Sequence, residues 1–171
     1  AIFKEKKAIL LKIPNIGEKA AKTIIKSNVF AEAEQEIEYI QKNNIQAHFY
    51  LNKSYPQRLL HCEDGPIVLY TKGNLDLNAQ KVISIVGTRK ATVKGKAFTE
   101  KLVEEIALHN PIIVSGLAYG IDICAHKAAL KNNLQTIGVL ACGLNEIYPK
   151  VHFSTAEKML ENGGIASDYR S

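Results

Sequence analysis

A chain of 171 residues with 46% hydrophobic and 23% charged side chains can bury a core, and 5 Pro and 11 Gly exclude collagen-like and low-complexity classes. Its apolar runs are short, such as VISIV at 82 to 86, far below the ~20 residues of a membrane span, so no membrane association is expected. The net charge of +5 is clustered: residues 1 to 26 hold seven Lys and two Glu, and Arg89, Lys90, Lys94 and Lys96 lie in a stretch free of acids between Asp76 and Glu100.

Two positive patches point to a polyanion partner, against the alternative of solvated Lys-rich faces. The basic N-terminus AIFKEKKAILLK lacks the apolar core and small-residue cleavage site of a secretory signal and reads as the start of an amphipathic helix. Cys62, Cys124 and Cys142 are odd in number and set among apolar residues, which suits buried free thiols in a reducing cytoplasm. No disulfide, metal or cofactor is expected.

From residue 3 to 44 the apolar positions recur every three or four residues, interrupted at PNIG and around SNVF, which predicts a small all-α domain over 1–44. Within it LLKIPNIGEKAAKTII, residues 10 to 25, sets a Pro-x-x-Gly turn between two amphipathic helices and resembles the helix-hairpin-helix motif. The resemblance implies a backbone phosphate contact at Asn15, Ile16 and Gly17, with Lys19 beside it and Lys12 and Lys22 near. The motif's usual glycine is replaced by Asn15. A helical hairpin that only packs is the other reading.

From Ile45 onward β-branched runs alternate with amphipathic helices, predicting a parallel sheet covered on both faces over 45–171. Strands are expected at 66–70, 82–87, 112–116, 136–143 and near 165, and helices over 94–108 and 121–131. Gly87, Gly116 and Gly143 follow three of these strands. In an open parallel sheet the carboxyl ends share one edge, where ligands bind.

VISIVGTRKATVKGK, residues 82 to 96, contains neither G-x-G-x-x-G nor a Walker loop. It offers Gly87, the Thr88 hydroxyl, the Arg89 guanidinium and a helix start bearing Lys94 and Lys96, a phosphate-binding set without a nucleotide motif. In SGLAYGIDICAHKAAL, residues 115 to 130, Asp122 and His126 stand four apart on one helical face. They read either as an acid-base pair or as a structural pair at a helix start. GLNEIYPKVHF, 143 to 153, brings Lys150 to the same sheet edge, and Phe153 could stack on a base or fill the core.

YP at 55 and 56, GPIVLYTKGN at 65 to 74, IVGTR at 85 to 89, SGLAYGID..AH..AL at 115 to 130, TIGVLACGLNEIYPK at 136 to 150 and GGIASD at 163 to 168 together resemble the DNA-processing protein A family, DprA or Smf. His152 and Asp168 depart from the family's usual Asn and Glu. The resemblance implies a Rossmann-like domain cut short on its C-terminal side, so the chain is expected to be a fragment. It further implies a cytoplasmic, homodimeric, non-enzymatic mediator that binds single-stranded DNA, protects it and loads the RecA recombinase in natural transformation. Gly87, Thr88 and Arg89 would hold phosphate, Ser115 and Gly116 would shape the pocket, and Lys150 would add a cation. A Rossmann-like nucleotide hydrolase or sensor is the alternative function.

Overall fold

The structure, a computed structural model, describes residues 2–27 and 29–170. The chain divides into two compact units, Ala1–Glu38 and Tyr39–Ser171. The division falls inside a helix, ahead of the change in periodicity at 44/45.

In the first unit, short helix α1 (Lys7–Leu10) is joined by the Pro14–Gly17 turn to α2 (Glu18–Lys26), and α3 (Val29–Lys42) begins after it. Leu10 and Ala21 are its fully buried apolar side chains among the described residues, and Phe3 meets the edge of Phe30 with ring centroids 5.7 Å apart.

The second unit is built on one six-stranded sheet: β1 (Gln46–Phe49), β2 (Val68–Gly73), β3 (Val82–Ser84), β4 (Ile112–Gly116), β5 (Thr136–Val139) and β6 (Gly163–Ser167), in spatial order β1-β2-β6-β5-β4-β3. The pairs β3–β4, β4–β5 and β5–β6 are parallel, while β1–β2 and β2–β6 are antiparallel. The expected Rossmann-like α/β fold is therefore present, with an antiparallel flank that the periodicity does not reveal.

The parallel strands follow one another in sequence order across the sheet, and right-handed crossovers then bring every connecting helix to the same face. Accordingly α4 (Val93–Ile106), α5 (Ile121–Lys131) and α6 (Phe153–Glu161) form one layer, with α5 packed against both of the others. Ile113 joins Ile85, Val103, Ala125 and Ala129 on that side, while Leu140, Ala156, Met159 and Ile165 continue the core under α6. On the opposite face Ile112, Ile137 and Ala166 meet Tyr55, Leu59, Leu75 and Leu77, from the 3-10 turn Gln57–His61 and irregular chain. Helices thus cover one face rather than two. Alternation of Ile112 and Ile113 between the two cores is the period-2 geometry of a strand buried on both sides.

Of the three thiols, all free, Cys124 is buried, Cys142 half-buried and Cys62 exposed at the end of the 3-10 turn. The expectation of three buried thiols therefore fails for Cys62, which stands two residues after the exposed Leu60.

Candidate nucleic-acid interface

At the carboxyl ends of β4 and β5 the strands part around a cavity of about 460 Å³. Its walls are apolar at Leu117, Val139, Leu140 and Pro149, with Tyr119 and Tyr148 half-exposed or more, and Arg89, Asp122 and Glu146 supply charge. The volume falls within the roughly 300–1,000 Å³ of small-molecule sites.

The loop that carries Arg89 is held by the first turn of α5. Gly87 N–H donates to Asp122 Oδ1 (3.4 Å), and Ile121 N–H donates to the Thr88 carbonyl (3.2 Å). Gly120, at φ +86°, lies against the carbonyls of Thr88 and Arg89, where a Cβ would come within 2.1 Å of the Thr88 oxygen. A Cβ on Gly87 would meet Ile121 at 2.7 Å. Thr88 Oγ1 accepts from Lys90 N–H (3.2 Å), closing the local turn. Thr92 then caps α4 by accepting from Gly95 N–H (3.1 Å). The result is an exposed guanidinium on a backbone held to the start of α5.

Among the sequence-predicted residues, Arg89 and Gly116 line the cavity together, and Gly87 and Thr88 form the loop beside them. Ser115 is buried one position below, its hydroxyl donating to the Ile85 carbonyl, so it shapes the floor without facing the opening. Lys94 and Lys96 are exposed on the first turns of α4. Lys150, in the short 3-10 turn Lys150–His152, and Phe153, at the start of α6, are exposed and outside the cavity lining. Phe153 is 52% exposed, which sets aside its core reading. Sequence reasoning missed Tyr119, Glu146, Tyr148 and Pro149 as lining residues. Tyr119 had a signal in its position three residues after the end of β4, whereas Glu146, Tyr148 and Pro149 stand seven to ten residues beyond the end of β5.

Asp122 and His126 have separate tasks. His126 is fully buried, with Nε2 2.7 Å from the Gly116 carbonyl and Nδ1 2.7 Å from Thr136 Oγ1. A neutral ring satisfies both by donating from Nε2 to the Gly116 carbonyl and accepting at Nδ1 from the Thr136 hydroxyl, whose oxygen also lies 2.9 Å from the Ile113 carbonyl. Burial pushes the ring down to about 4, which outweighs the hydrogen bond to Gly116 and the charge of Asp122. In the structure His126 meets the end of β4 and Asp122 holds the Gly87 loop.

In the first unit the Pro14–Gly17 turn follows the four-residue α1 and leads into α2. Asn15 adopts φ +68°, the left-handed conformation that Gly favours and Asn tolerates. Ile16 N–H donates to the Ile13 carbonyl (3.1 Å), and Gly17 begins α2 without a side-chain cap. Lys19, Lys22, Thr23 and Lys26 line one side of α2. Glu18, in the first turn, pairs with Lys7 (2.6 Å) and Lys22 (3.8 Å) and so sets one negative charge close to the open N–H groups.

The sequence profile of the family described as DNA recombination-mediator protein A matches residues 46–171. The DNA processing protein DprA of Bacillus subtilis is 40% identical over 119 residues, covering 69% of this chain and 40% of that protein. Protein Smf of Synechocystis is 33% identical over 171 residues, covering 98% of this chain and 43% of its own length. The chain thus spans less than half the length of these curated relatives. Among solved structures, DprA of Streptococcus pneumoniae superposes with a TM-score of 0.69 at 33% identity, covering 88% of this chain and 55% of that one. The Helicobacter pylori protein, described for its single-stranded DNA binding mode, gives 0.64 at 33% identity over 74% of this chain and 57% of that one.

Proposed function

Because the chain belongs to the DNA recombination-mediator protein A family, we propose that it serves DNA processing by binding single-stranded DNA at the crevice beyond β3, β4 and β5. The observation that carries this reading is the loop Gly87–Arg89, an exposed guanidinium on a backbone fixed by Gly120, Ile121 and Asp122 beside a cavity with two exposed tyrosines. A fixed fork offers bidentate contact to a phosphate, and aromatic faces suit unpaired bases. Lys94, Lys96, Lys150 and Phe153 would extend the track, and Ser115 and Gly116 would form its floor.

On the same reading the protein is a cytoplasmic, non-enzymatic homodimer that protects incoming strands in natural transformation and delivers them to RecA. The neutral, doubly engaged His126 supports the non-enzymatic part, since a nucleotide hydrolase would need that ring free to move a proton.

Fluorescence anisotropy of labelled oligo-dT against duplex of equal length, at several salt concentrations, tests the reading. Arg89→Ala is expected to weaken single-strand binding about tenfold and to lower the salt slope by about 1. Equal binding of duplex, or no effect of the substitution, would overturn it. The helix-hairpin-helix contact at Asn15, Ile16, Gly17 and Lys19 has its own measurement. Lys19→Ala and Lys22→Ala are each expected to lower the slope by about 1 if α2 lies on the backbone, and an unchanged slope removes that contact.

A further inference from the structure

Two buried histidines hold the end of β4, and they come from different elements. His126, on α5, takes the Gly116 carbonyl, while His152 lies with Nδ1 2.7 Å from the carbonyl of the next residue, Leu117. A carbonyl only accepts, so Nδ1 of His152 carries the proton and donates the bond. The Ala118 carbonyl accepts in turn from Ile123 N–H (3.2 Å). Three consecutive carbonyls are thus engaged, and Tyr119 is the first residue beyond them. Its half-exposed side chain meets the His152 ring in a T-shaped arrangement, with centroids 5.0 Å apart and planes at 66°, a geometry that aromatic pairs prefer. His152 is only 6% exposed although Lys150, Val151 and Phe153 around it are exposed.

Resting on the single-strand reading above, we propose that His152 is a positioning residue for strand binding, fixing Tyr119 in the orientation in which the exposed part of its ring stacks on a base. It acts through two contacts. The Nδ1–H bond to Leu117 sets the backbone that leads into Tyr119, and the ring contact sets the side chain. A half-exposed tyrosine held only at its backbone surrenders rotamer freedom when a base stacks on it, whereas one already seated against His152 has lost that freedom in folding. His152 itself touches no nucleotide. Because it stands between Lys150 and Phe153 in the chain, the same side chain ties the turn that carries them to the loop between β4 and α5.

Competition anisotropy on the full-length protein compares oligo-dT with an abasic deoxyribose-phosphate strand of equal length, which keeps the charges and removes the bases. Tyr119→Ala is expected to weaken oligo-dT binding about tenfold and to leave the abasic strand unchanged. His152→Asn retains an N–H for the Leu117 carbonyl and removes the ring. It is expected to weaken oligo-dT binding about threefold, with the abasic strand and the salt slope unaltered. In a Tyr119→Ala background the same substitution is expected to have no further effect, since its partner is gone. A loss of equal size on both strands, or additive losses in the double variant, would show His152 acting on the fold alone and overturns the proposal. Should His152→Asn fail to fold, the wild type carries the test: ring protons of Tyr119 and His152 are expected to show a nuclear Overhauser effect that survives addition of oligo-dT, and its absence overturns the pairing. Equal affinity of the wild type for oligo-dT and the abasic strand overturns the positioning role and leaves the single-strand reading standing. Failure to bind either one overturns both.

Discussion

Gly120→Ala is expected to destabilise the protein by about 3 kcal/mol and to weaken single-strand binding about tenfold, while Gly95→Ala leaves binding intact and slightly raises stability. Gly120 sits at φ +86° and ψ −119°, a conformation in which a non-glycine residue costs about 1–3 kcal/mol before any contact is considered. The added Cβ would also stand 2.1 Å from the Thr88 oxygen and 2.8 Å from the Arg89 carbonyl carbon, both backbone atoms. Relief requires the Thr88–Arg89 segment to move away from α5, which breaks the Ile121 N–H bond to Thr88 and displaces the guanidinium from the cavity mouth. At Gly95 the new Cβ would find Thr92 Oγ1 at 3.4 Å and Ile121 Cδ1 at 3.7 Å, ordinary contact on a helix. There alanine contributes about 0.5–1 kcal/mol of helix preference. Urea denaturation and anisotropy on the two variants check the pair, and a Gly120→Ala protein of normal midpoint and affinity would refute the role given to this contact.

The second large effect is a dependence on pH. His126 titrates at about 4 in the folded protein against 6.5 in an unfolded chain, because burial disfavours the charged ring. The unfolded state therefore binds the proton more readily. The stability tied to the neutral ring is fully present above pH 6.5, falls as pH drops through the window from 6.5 to about 4, and is exhausted below it. The shift corresponds to about 3 kcal/mol. His126→Gln abolishes that titration, and at pH 7.5 it is expected to cost about 2 kcal/mol through the bonds to Gly116 and Thr136. Stability curves of wild type and variant are thus expected to lie apart at pH 7.5 and to converge toward pH 4.5. His48 is also lowered by burial, with the same sign in both proteins, and cancels in the difference. Parallel curves across this range would show that the ring is not held neutral.

How much of this was legible in the sequence depends on the length over which a pattern runs. Strand 112–116 and helix 121–131 match the observed β4 and α5, since IIVSG opens on three β-branched apolar residues before its glycine and α5 buries six of its residues. Strand β1, QAHF, was not anticipated: four residues with one side chain buried leave too short an alternation, and His48 is the buried one. The expected strand at 66–70 begins two residues late and runs on through Thr71, Lys72 and Gly73, because Thr71 is buried against His48 as an apolar residue would be. Strands 82–87 and 136–143 end early, at Ser84 and Val139. After Val139 the apolar content serves a cavity wall, whereas Ile85 stays in the core and still bonds Val114. The Arg89 loop was visible from GTR after a strand. Its attachment to Asp122 and Gly120 was not, because the partners lie more than thirty positions apart in the chain.

The antiparallel flank carries a consequence for the order of assembly. β1 and β2 can pair as soon as both exist, yet β2 finds its other neighbour only when Tyr70 meets Ser167, across nearly the whole of the second unit. The β3–β4–β5 layers close over far shorter separations and can form in between. On a ribosome the early hairpin therefore waits with an unsatisfied edge while the parallel layers accumulate, and β6 is the keystone that joins them. Such distant pairing raises contact order and slows folding, and it concentrates the hazard of misassembly in the interval before β6 emerges.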